Sequence, residues 1–380
     1  MVNNSGRQIM AEKMVVTPWE TRGEIDYDKL IKEFGTEKLA EELVKKIEKK
    51  AGKSTHFLRR KIYFSHRGLK KILEDLDNGK DFVLYTGRGP SGETHLGHLL
   101  PYLFTKYLQD AFNAKLYYEL TDDEKFFTKE KLSLKECTGF AYDNALDFIA
   151  CGFKSENTRI IIDTKDIGLL YPIAAKVAEK TTFSTAKAVF GFSNETNIGW
   201  IFFPAIQASV AFIESELKGK RVNCLIPCGI EQDPYWRIAR DVAEKLGYPK
   251  PGAIHGKFLP GLKQGGKMSA SDPSSAIWVT DSEKEVDKKI GNAFTGGRAT
   301  VEEQRRLGGN PEACNVHAYY FFLFEQDDEK LARLYDDCRK GKILCGECKK
   351  DLAKRVNAFL KEHMKRREEA RKHLKEYLLK

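Results

Sequence analysis

Two stretches of this 380-residue chain have the residue types and spacing for phosphate chemistry. The first, YTGRGPSGETHLGH at 85–98, joins several glycines to two histidines. The second, GGKMSASDP at 265–273, carries one lysine and two serines. Glycines let backbone N–H groups approach a phosphate, and a lysine supplies a movable positive charge. Together the two stretches predict a site for nucleotide phosphates.

The first stretch needs a strand before it and a helix after it. Phe82–Tyr85 is an apolar run that predicts a short buried strand, and Leu99–Leu108 has the pattern of an amphipathic helix. A strand, a glycine-rich turn and a helix bring the positive end of the helix toward an anion.

Three interpretations of this turn stay open when it is considered alone. Gly87, Gly89 and Gly92 match the dinucleotide pattern GxGxxG, and Glu119 closes the next predicted strand, although later than the usual spacing for an acid that meets a ribose. Alternatively, the two histidines of HLGH contact the ribose and phosphates of ATP, with Gly97 leaving room for adenine. In the third interpretation they are polar surface residues at a helix start.

Further along the chain, strand-like and helix-like runs alternate. This alternation predicts an α/β fold with a doubly wound parallel sheet, in which a ligand binds at the carboxyl ends of the strands. The predicted strands are Lys115–Glu119, Arg159–Asp163 and Arg221–Ile226, and the predicted helices are Cys137–Ala150, Tyr171–Lys180 and Tyr235–Leu246.

Polar residues at three places are expected near that crevice. The acids of 122–124 either cap a helix or hold the ammonium group of an amino acid. Gln232 and Asp233 follow a predicted strand and are expected to face the crevice together. Gln207 lies inside an apolar run, where its amide needs a partner in the backbone or in a ligand.

The N-terminal part gives weaker signals. Residues 1 to about 16 are expected to be poorly ordered. Thr36 is predicted to cap a helix that runs to Lys50. The basic stretch 56–71 is interpreted as a solvated face rather than as a nucleic-acid surface.

The C-terminal part is predicted to be helical and basic. Residues 349–380 contain 12 Lys or Arg against 5 Asp or Glu, over an apolar face of Leu352, Val356, Phe359 and Leu360. Such a region suits a nucleic-acid backbone, although a solvated surface helix fits as well. The net charge of +9 also favours polyanionic partners. Cys345 and Cys348 have metal-ligand spacing but no second pair follows, so we predict no protein-held metal.

The composition indicates the cellular compartment of the protein. The eight cysteines are scattered and no secretory segment is recognised, which indicates reduced thiols and a cytoplasmic protein. The longest apolar region, Ile198–Ile213, is too short and too polar to cross a membrane.

The two opening stretches, taken together, resemble a known pair. HLGH followed about 170 residues later by KMSAS is similar to the HIGH and KMSKS motifs of class I aminoacyl-tRNA synthetases, and either motif alone is weak. LTDDEKF, FPAIQA, QDPYWR and KMSASDP further resemble the archaeal and eukaryotic cytosolic tryptophanyl-tRNA synthetases. The similarity begins near residue 17 and covers most of the chain.

The resemblance implies that tryptophan is activated with ATP to an adenylate and transferred to tRNA(Trp), with Mg²⁺ accompanying the triphosphate and a homodimer as the assembly. It implies a catalytic role for His95, His98, Lys267, Ser269 and Ser271. It implies ATP contacts for Thr86, Arg88, Gly89, Pro90, His95, Gly97, His98, Lys267, Met268 and Ser269. It implies tryptophan contacts for Tyr85, Glu119, Glu124, Gln207 and Gln232.

One position departs from the family, because Glu119 stands where relatives usually carry Gln. A carboxylate there still accepts a hydrogen bond from indole N–H, but its charge is costly in an apolar pocket unless it is paired.

The implied organisation is an N-terminal extension with a helical segment (1–75), a Rossmann-like catalytic domain (76–281) and a helical anticodon-binding domain (282–380). The alternatives are a tyrosyl-tRNA synthetase of the same class, a nicotinamide-dependent dehydrogenase, and a non-catalytic RNA-binding protein.

Overall fold

The computed structural model describes residues 14–17, 21–22, 25–265, 268 and 272–379. Three residues with predicted catalytic roles therefore lie outside the described residues: Lys267, Ser269 and Ser271. Most of the N-terminal segment that was expected to be poorly ordered lies outside them too.

Among the described residues, nine strands form two sheets, of two and seven strands. The strands are β1 Val15–Val16, β2 Thr21–Arg22, β3 Glu37–Lys38, β4 Tyr63–Arg67, β5 Phe82–Arg88, β6 Leu116–Leu120, β7 Thr158–Ile162, β8 Asn223–Gly229 and β9 Gly252–Gly256.

The helices surround the larger sheet and form the C-terminal part. They are α1 Tyr27–Phe34, α2 Glu41–Ala51, α3 His56–Arg59, α4 Leu69–Asp77, α5 Leu96–Phe112, α6 Asp122–Thr128, α7 Leu134–Ala150, α8 Asp163–Glu179, α9 Phe183–Phe190, α10 Ile198–Val210, α11 Ile213–Lys218, α12 Asp233–Ala243, α13 Glu283–Gly291, α14 Val301–Leu307, α15 Asn315–Tyr319, α16 Asp328–Arg339 and α17 Cys345–Tyr377. Within the described part of the chain, no helix combines the length and apolar character needed to cross a membrane.

The larger sheet has the order β3-β4-β9-β8-β5-β6-β7. The five strands from β9 to β7 are parallel, so the predicted doubly wound sheet is confirmed. From β5 the chain proceeds to β6 and β7 on one side, and then crosses to β8 and β9 on the other. Ligands of such sheets bind at this reversal, outside the carboxyl ends of the strands. The crevice is therefore expected next to β5 and β8.

The strands β3 and β4 extend the sheet with antiparallel pairing, and β4 lies in the stretch that was interpreted as a solvated face. β4 pairs antiparallel with β9, and β3 with β4. The interpretation of 56–71 as a solvated face was wrong, because Phe57, Ile62 and Tyr63 are buried in the main core. The charges that suggested a surface point outward or are paired; Arg60, for example, binds Asp328 at 2.7 Å.

The predicted start of the first long helix was also wrong. Thr36 is buried before β3, and α2 begins five residues later after Ala40, without a side-chain cap. The strand pairing of Glu37 and Lys38 with β4 replaces the helical turn that their propensity favours. Leu43 and Ile47, one turn apart, form the buried stripe of α2.

The C-terminal helix α17 packs along α7 and α13. Its predicted apolar face is confirmed, since Leu352, Val356 and Leu360 are buried. Arg367 and His363 reach across to Asp147 of α7, with Nε of Arg367 at 2.8 Å and Nε2 of His363 at 3.3 Å from Oδ1. One core cluster thus includes residues from all three predicted segments of the chain.

Candidate active site at the carboxyl ends of β5 and β8

A cavity of about 610 Å³ opens where the sheet topology places a ligand. Its walls come from the end of β5, the following turn, the starts of α5 and α6, the middle of α10, and the loop after β8. The segment 256–259, Met268 and Trp278 close the remaining side. The stretch at 85–98 and the described residue of the KMSAS stretch therefore line one cavity, although about 170 residues separate them.

The two histidines form the start of α5. The backbone N–H of His95 donates to Nδ1 of His98 at 3.2 Å, and the two rings stack with centroids 3.6 Å apart. Both rings line the cavity. The interpretation of these residues as mere surface polar groups therefore fails, because they cap the helix and face the cavity at the same time.

Backbone hydrogen bonds attach the segment 276–279 to this turn. Leu96 N donates to Ile277 O at 3.0 Å, and Val279 N donates to Thr94 O at 2.9 Å. Between them, the ring of Trp278 meets His95 edge to face at 5.4 Å. The segment that follows KMSAS is thus fixed against the start of α5.

Gly97 allows this close packing. A Cβ at residue 97 would lie 3.0 Å from Sδ of Met268 and 3.1 Å from the ring of His95. Any side chain would fill the space beside the histidines, so glycine keeps that part of the cavity open.

Arg88 lines the cavity and also holds the turn together. Its guanidinium donates to Oγ1 of Thr94 at 2.6 Å and to the carbonyl oxygens of Gly92 and Glu93 at 3.2 and 2.6 Å. Pro90 is buried and does not line the cavity, whereas Thr86 and Gly89 do. Among the predicted ATP contacts, Pro90 is thus a part of the turn rather than of the wall.

The opposite end of the cavity is aromatic. Tyr85, Phe203, Tyr235 and Trp236 line it, and the rings of Tyr85 and Trp236 meet edge to face at 5.2 Å. The amides of Gln207 and Gln232 and the carboxylate of Glu124 face the same space, as predicted. Oε1 of Gln207 is buried without a hydrogen-bond partner in the protein, so it is available to a ligand.

Glu119 does not line the cavity but lies behind Tyr85. Its side chain is fully buried, and the Tyr85 hydroxyl donates a hydrogen bond to Oε2 of Glu119. The side chain expected to contact tryptophan therefore contacts Tyr85 and not the cavity. Because Glu119 is buried, it cannot bind a ribose hydroxyl as the acid of a dinucleotide-binding site does. The dinucleotide interpretation of GxGxxG therefore lacks its acidic residue.

Three buried acids, Glu119, Asp123 and Asp163, form what we term the carboxyl cluster. Burial raises the pKa of Glu119 and Asp163 well above their usual values, and the negative charges of neighbouring acids raise them further. Burial likewise raises the pKa of Asp123 to about 6. Asp163 interacts with the side chains of both Glu119 and Asp123, so burial and mutual repulsion favour the protonated forms of these acids.

The acids at 122–124 have three different environments. Asp122 is fully buried and accepts from Oγ1 of Thr138 and of Thr164, each at 2.6 Å. Asp123 belongs to the carboxyl cluster, and Glu124 alone of the three lines the cavity. The acids thus form the first turn of α6, and Glu124 also lines the cavity, where its contact with an ammonium group stays a prediction.

The prediction that Asp233 faces the crevice was wrong. It is fully buried at the start of α12, where Arg67 of β4 binds it through Nε and one terminal nitrogen, each at 2.8 Å. His255 of β9 lies 3.5 Å away. The antiparallel strand β4, which the sequence did not reveal, supplies this partner.

Lys125 and Glu231 line the cavity and were missed by the sequence analysis. Nζ of Lys125 lies 2.6 Å from Oε2 of Glu124, and its stem crosses Gly89, where a Cβ would be 1.8 Å from Cε. The position of Lys125 directly after the three acids was the available signal. Glu231 lies beside the predicted Gln232, in the helical turn after β8.

Comparison with known proteins identifies the family of the chain. Residues 77–361 match the family "tRNA synthetases class I (W and Y)". The tryptophan–tRNA ligase of Pyrobaculum calidifontis is 50% identical over 370 residues, which cover 97% of this chain and 99% of the relative. That of Thermococcus kodakarensis is 49% identical, over 95% of this chain and 93% of the relative.

Solved structures agree with the sequence comparison. The tryptophanyl-tRNA synthetase from Giardia lamblia superposes with a TM-score of 0.87 at 38% identity, over 93% of this chain and 96% of the other. A second, from Aeropyrum pernix, gives 0.85 at 32% identity, over 93% and 96%. Near-complete coverage at this identity, together with His95, His98 and Met268 at one cavity, means that the chain belongs to the tryptophanyl-tRNA synthetases of class I.

Proposed function

We propose that the cavity joins tryptophan to ATP, releasing pyrophosphate, and that the tryptophanyl group of the resulting adenylate is then transferred to a terminal ribose hydroxyl of tRNA(Trp), releasing AMP. The observation that carries this proposal is the single cavity with an aromatic, amide-lined end and a glycine–histidine end. In the first step, the tryptophan carboxylate forms a bond to the α-phosphorus of ATP as the bond to pyrophosphate breaks. No covalent enzyme intermediate is required.

Recognition of the indole depends on the Tyr85 hydroxyl. Because this hydroxyl donates to Glu119, its oxygen is left to accept the indole N–H. The surrounding rings of Phe203, Tyr235 and Trp236 exclude water from that bond. A buried acceptor rejects amino acids that lack a matching donor by several orders of magnitude.

The polar ends of tryptophan are held by three side chains. Glu124 supplies the negative charge for the ammonium group, and the amides of Gln207 and Gln232 bind the amino and carboxylate groups. Lys125 forms an ion pair with Glu124, so the charge of Glu124 is balanced before the amino acid binds. These contacts orient the carboxylate toward the nucleotide end.

The nucleotide end binds ATP, which enters together with Mg²⁺. Stacked His95 and His98 donate hydrogen bonds that orient the ribose and phosphates, and the turn at Gly89 lets the backbone approach them. Catalysis of this displacement is positioning and charge stabilisation. Lys267 neutralises the charge that develops on the phosphates, with Ser269 and Ser271 as hydroxyl donors.

Transfer to tRNA uses the helical C-terminal region. The solvent-facing side of α17 carries many Lys and Arg residues, which suit a phosphate backbone. We further propose that the chain works as a cytoplasmic homodimer, with residues 282–380 as the anticodon-binding part. Light scattering of the purified protein tests the dimer.

The decisive experiment is ATP–pyrophosphate exchange with each of the twenty amino acids in the absence of tRNA. Exchange with tryptophan alone is the expected result. Exchange with tyrosine would retain the class and overturn the specificity. No exchange with any amino acid, in protein whose fold is verified by circular dichroism, would contradict the proposed activation step.

A further inference from the structure

Buried polar side chains connect the glycine turn, the helix α7 and the C-terminal helix α17. We term these residues the polar bridge: Arg88, Thr94, Asn144, Asp147, His363 and Arg367. Of the six, Arg88 alone lines the active-site cavity. The other five lie behind it, and each is at most 5% exposed. Polar groups buried to this degree need partners, and the members of the polar bridge are partners to one another.

At the cavity end, the polar bridge fixes the guanidinium of Arg88. Oγ1 of Thr94 accepts a hydrogen bond from Nη1 of Arg88 at 2.6 Å. The same threonine side chain interacts with the carboxylate of Asp147. A hydroxyl has one proton to donate, and because Arg88 is itself a donor, that proton is directed to Asp147. The position of Asp147 is therefore passed to Arg88 through a single hydroxyl group.

A second side chain of α7 binds the same turn. Nδ2 of Asn144 donates to the carbonyl oxygen of Gly92 at 3.1 Å, and this oxygen also accepts from Nη2 of Arg88 at 3.2 Å. Asn144 and Asp147 are three residues apart, so they lie on one face of α7. The turn is thus held against α7 at residues 92 and 94, the two residues that also hold Arg88.

At the other end, α17 balances the charge of Asp147. Its Oδ1 accepts from Nε of Arg367 at 2.8 Å and lies 3.3 Å from Nε2 of His363. Burial raises the pKa of Asp147, but hydrogen bonds with His363 and Thr94 and the charge of Arg367 outweigh this and lower it below its usual value. Arg367 also donates to Asp143, one turn earlier in α7. A buried, ionised carboxylate depends on its positive partner, so the place of Asp147 depends on α17.

We propose that Asp147 is a positioning residue for the activation step, which orients Arg88 toward ATP through Thr94 and is itself held in place by Arg367 of α17. This role rests on the proposed function, in which the nucleotide end, where Arg88 lies, binds ATP. It means that the nucleotide end is complete only when α17 is docked on α7. The tryptophan end has a separate support, since Tyr85 binds Glu119.

Thr94→Val and Thr94→Ser test the link to Arg88. Valine keeps the shape of threonine without its hydroxyl, whereas serine retains the hydroxyl. In ATP–pyrophosphate exchange with tryptophan, we expect KM for ATP to rise about tenfold in Thr94→Val and to stay within about twofold of wild type in Thr94→Ser. KM for tryptophan should be unchanged in both. An ion pair that only fastens α17 to α7 would leave KM for ATP unaltered in Thr94→Val, and that result would overturn the proposal.

The wild type separates this proposal from the proposed function. Wild-type protein without exchange contradicts the proposed function, and the role of the polar bridge falls with it. Normal exchange by the wild type beside an unaltered Thr94→Val contradicts the polar bridge alone. Circular dichroism verifies that each variant is folded.

A double-variant cycle tests the link across α7. Arg367→Met removes the charge but keeps an unbranched side chain, and we expect KM for ATP to rise about 3- to 10-fold. Because both changes act on one connection, Thr94→Val combined with Arg367→Met should resemble Thr94→Val alone. If Arg367→Met does not fold, Arg367→Lys replaces it, since lysine keeps the charge but cannot bind two carboxylates with a planar fork. Effects on KM that multiply in the double variant would overturn the proposed connection.

Tyr377→Phe is the matched control for α17. It removes another buried hydrogen bond of the same helix, which the Tyr377 hydroxyl donates to the carbonyl oxygen of Phe153 at 2.9 Å. This contact lies outside the polar bridge, so KM for ATP should equal that of the wild type. A rise in the control as large as that in Arg367→Met would mean that any loosening of α17 has this effect, and it would refute the assigned role of Asp147.

Discussion

The two ends of the active-site cavity are built in different ways. At the tryptophan end, side chains on strands and helices form the wall, and a layer of buried partners supports them. Tyr85 is 1% exposed and Glu119 behind it is 0% exposed. At the nucleotide end, a glycine turn and Trp278 form much of the wall, and main-chain hydrogen bonds join the segment 276–279 to that turn.

The difference follows from what each end has to recognise. In the proposed assignment, indole is distinguished by one N–H in an apolar ring system, so a single buried acceptor would carry the selectivity. Phosphates carry no such unique feature, and backbone N–H groups with a movable cation suffice for them. Changes at the two ends should therefore affect different kinetic constants.

Lys267→Ala should give the largest effect, and this effect should be confined to the nucleotide end. The rate of adenylate formation is expected to fall about 10²- to 10³-fold, because charge on the phosphates is no longer neutralised, while the Kd for tryptophan is unchanged. Pre-steady-state kinetics and equilibrium binding measure the two quantities. The matched control is Lys263→Ala, since Lys263 pairs with Asp272 at 2.6 Å and does not line the cavity. Equal losses in rate and binding would remove the role assigned to Lys267.

Tyr85→Phe should break the tryptophan end alone. It removes the acceptor for the indole N–H and leaves Glu119 without its partner, a loss of about 1–3 kcal/mol. We expect kcat/KM for tryptophan to fall about 10- to 100-fold with KM for ATP unchanged. Tyr117→Phe is the control, because that buried hydroxyl donates to Glu214 at 2.6 Å outside the cavity. A comparable loss in the control would show a general effect of buried hydroxyl removal.

Gly97→Ala tests whether ATP occupies the space beside the two histidines at the nucleotide end. The added methyl group would meet Met268 and the His95 ring at 3.0–3.1 Å, so we expect about a tenfold rise in KM for ATP and none for tryptophan. Gly139→Ala in α7 meets no atom within 4 Å and serves as the control. Thermal unfolding of both variants checks that the result does not come from a loss of stability, since both changes favour helix formation but only Gly97→Ala adds close contacts. An unchanged KM for ATP would mean that ATP does not use this space.

The carboxyl cluster should make the stability of the tryptophan end depend on pH. Burial raises the pKa of these acids above their unfolded values, so their contribution is complete at low pH and is lost as pH rises through the folded pKa. For Asp123 this interval extends from about 4 to about 6. We expect the Tm of the wild type to fall from pH 5 to pH 8, and that of Asp163→Asn to fall less, by about 2 °C. Scanning calorimetry measures this, and Asp241→Asn, an exposed change, should retain the wild-type profile. Parallel profiles for wild type and Asp163→Asn would argue that the cluster does not titrate in this range.

Local patterns predicted the parts of the fold that local forces determine. The strand before the glycine turn and the helix at Leu99–Leu108 were correct because their apolar periodicity is strong. The placement of Tyr85, Glu124, Gln207 and Gln232 on one cavity followed from the rule for parallel sheets combined with the family resemblance.

Long-range partners account for what was missed. Thr36 and the stretch 56–71 were misassigned because an antiparallel edge, formed with β9 nearly 190 residues away, overrides their local propensity. Asp233 was misplaced for the same reason, since its partner Arg67 lies on that edge. Glu119 was expected to contact tryptophan but does not line the cavity. Alternation along its own strand could not show that Tyr85, on the neighbouring strand, covers it.

The ring of Trp278, which meets His95 edge to face, gives the nucleotide end its own optical reporter. Trp236 occupies the corresponding place against Tyr85 at the other end. Indole emission depends on the polarity and quenching groups within a few ångströms, and a protonated imidazole quenches it. A chain that keeps only Trp278, with Trp19, Trp200 and Trp236 replaced by Phe, would therefore signal the arrival of ATP, and one that keeps only Trp236 would signal the amino-acid end. Two of the four tryptophans thus lie at the cavity, one at each end, and can serve as reporters without any added label.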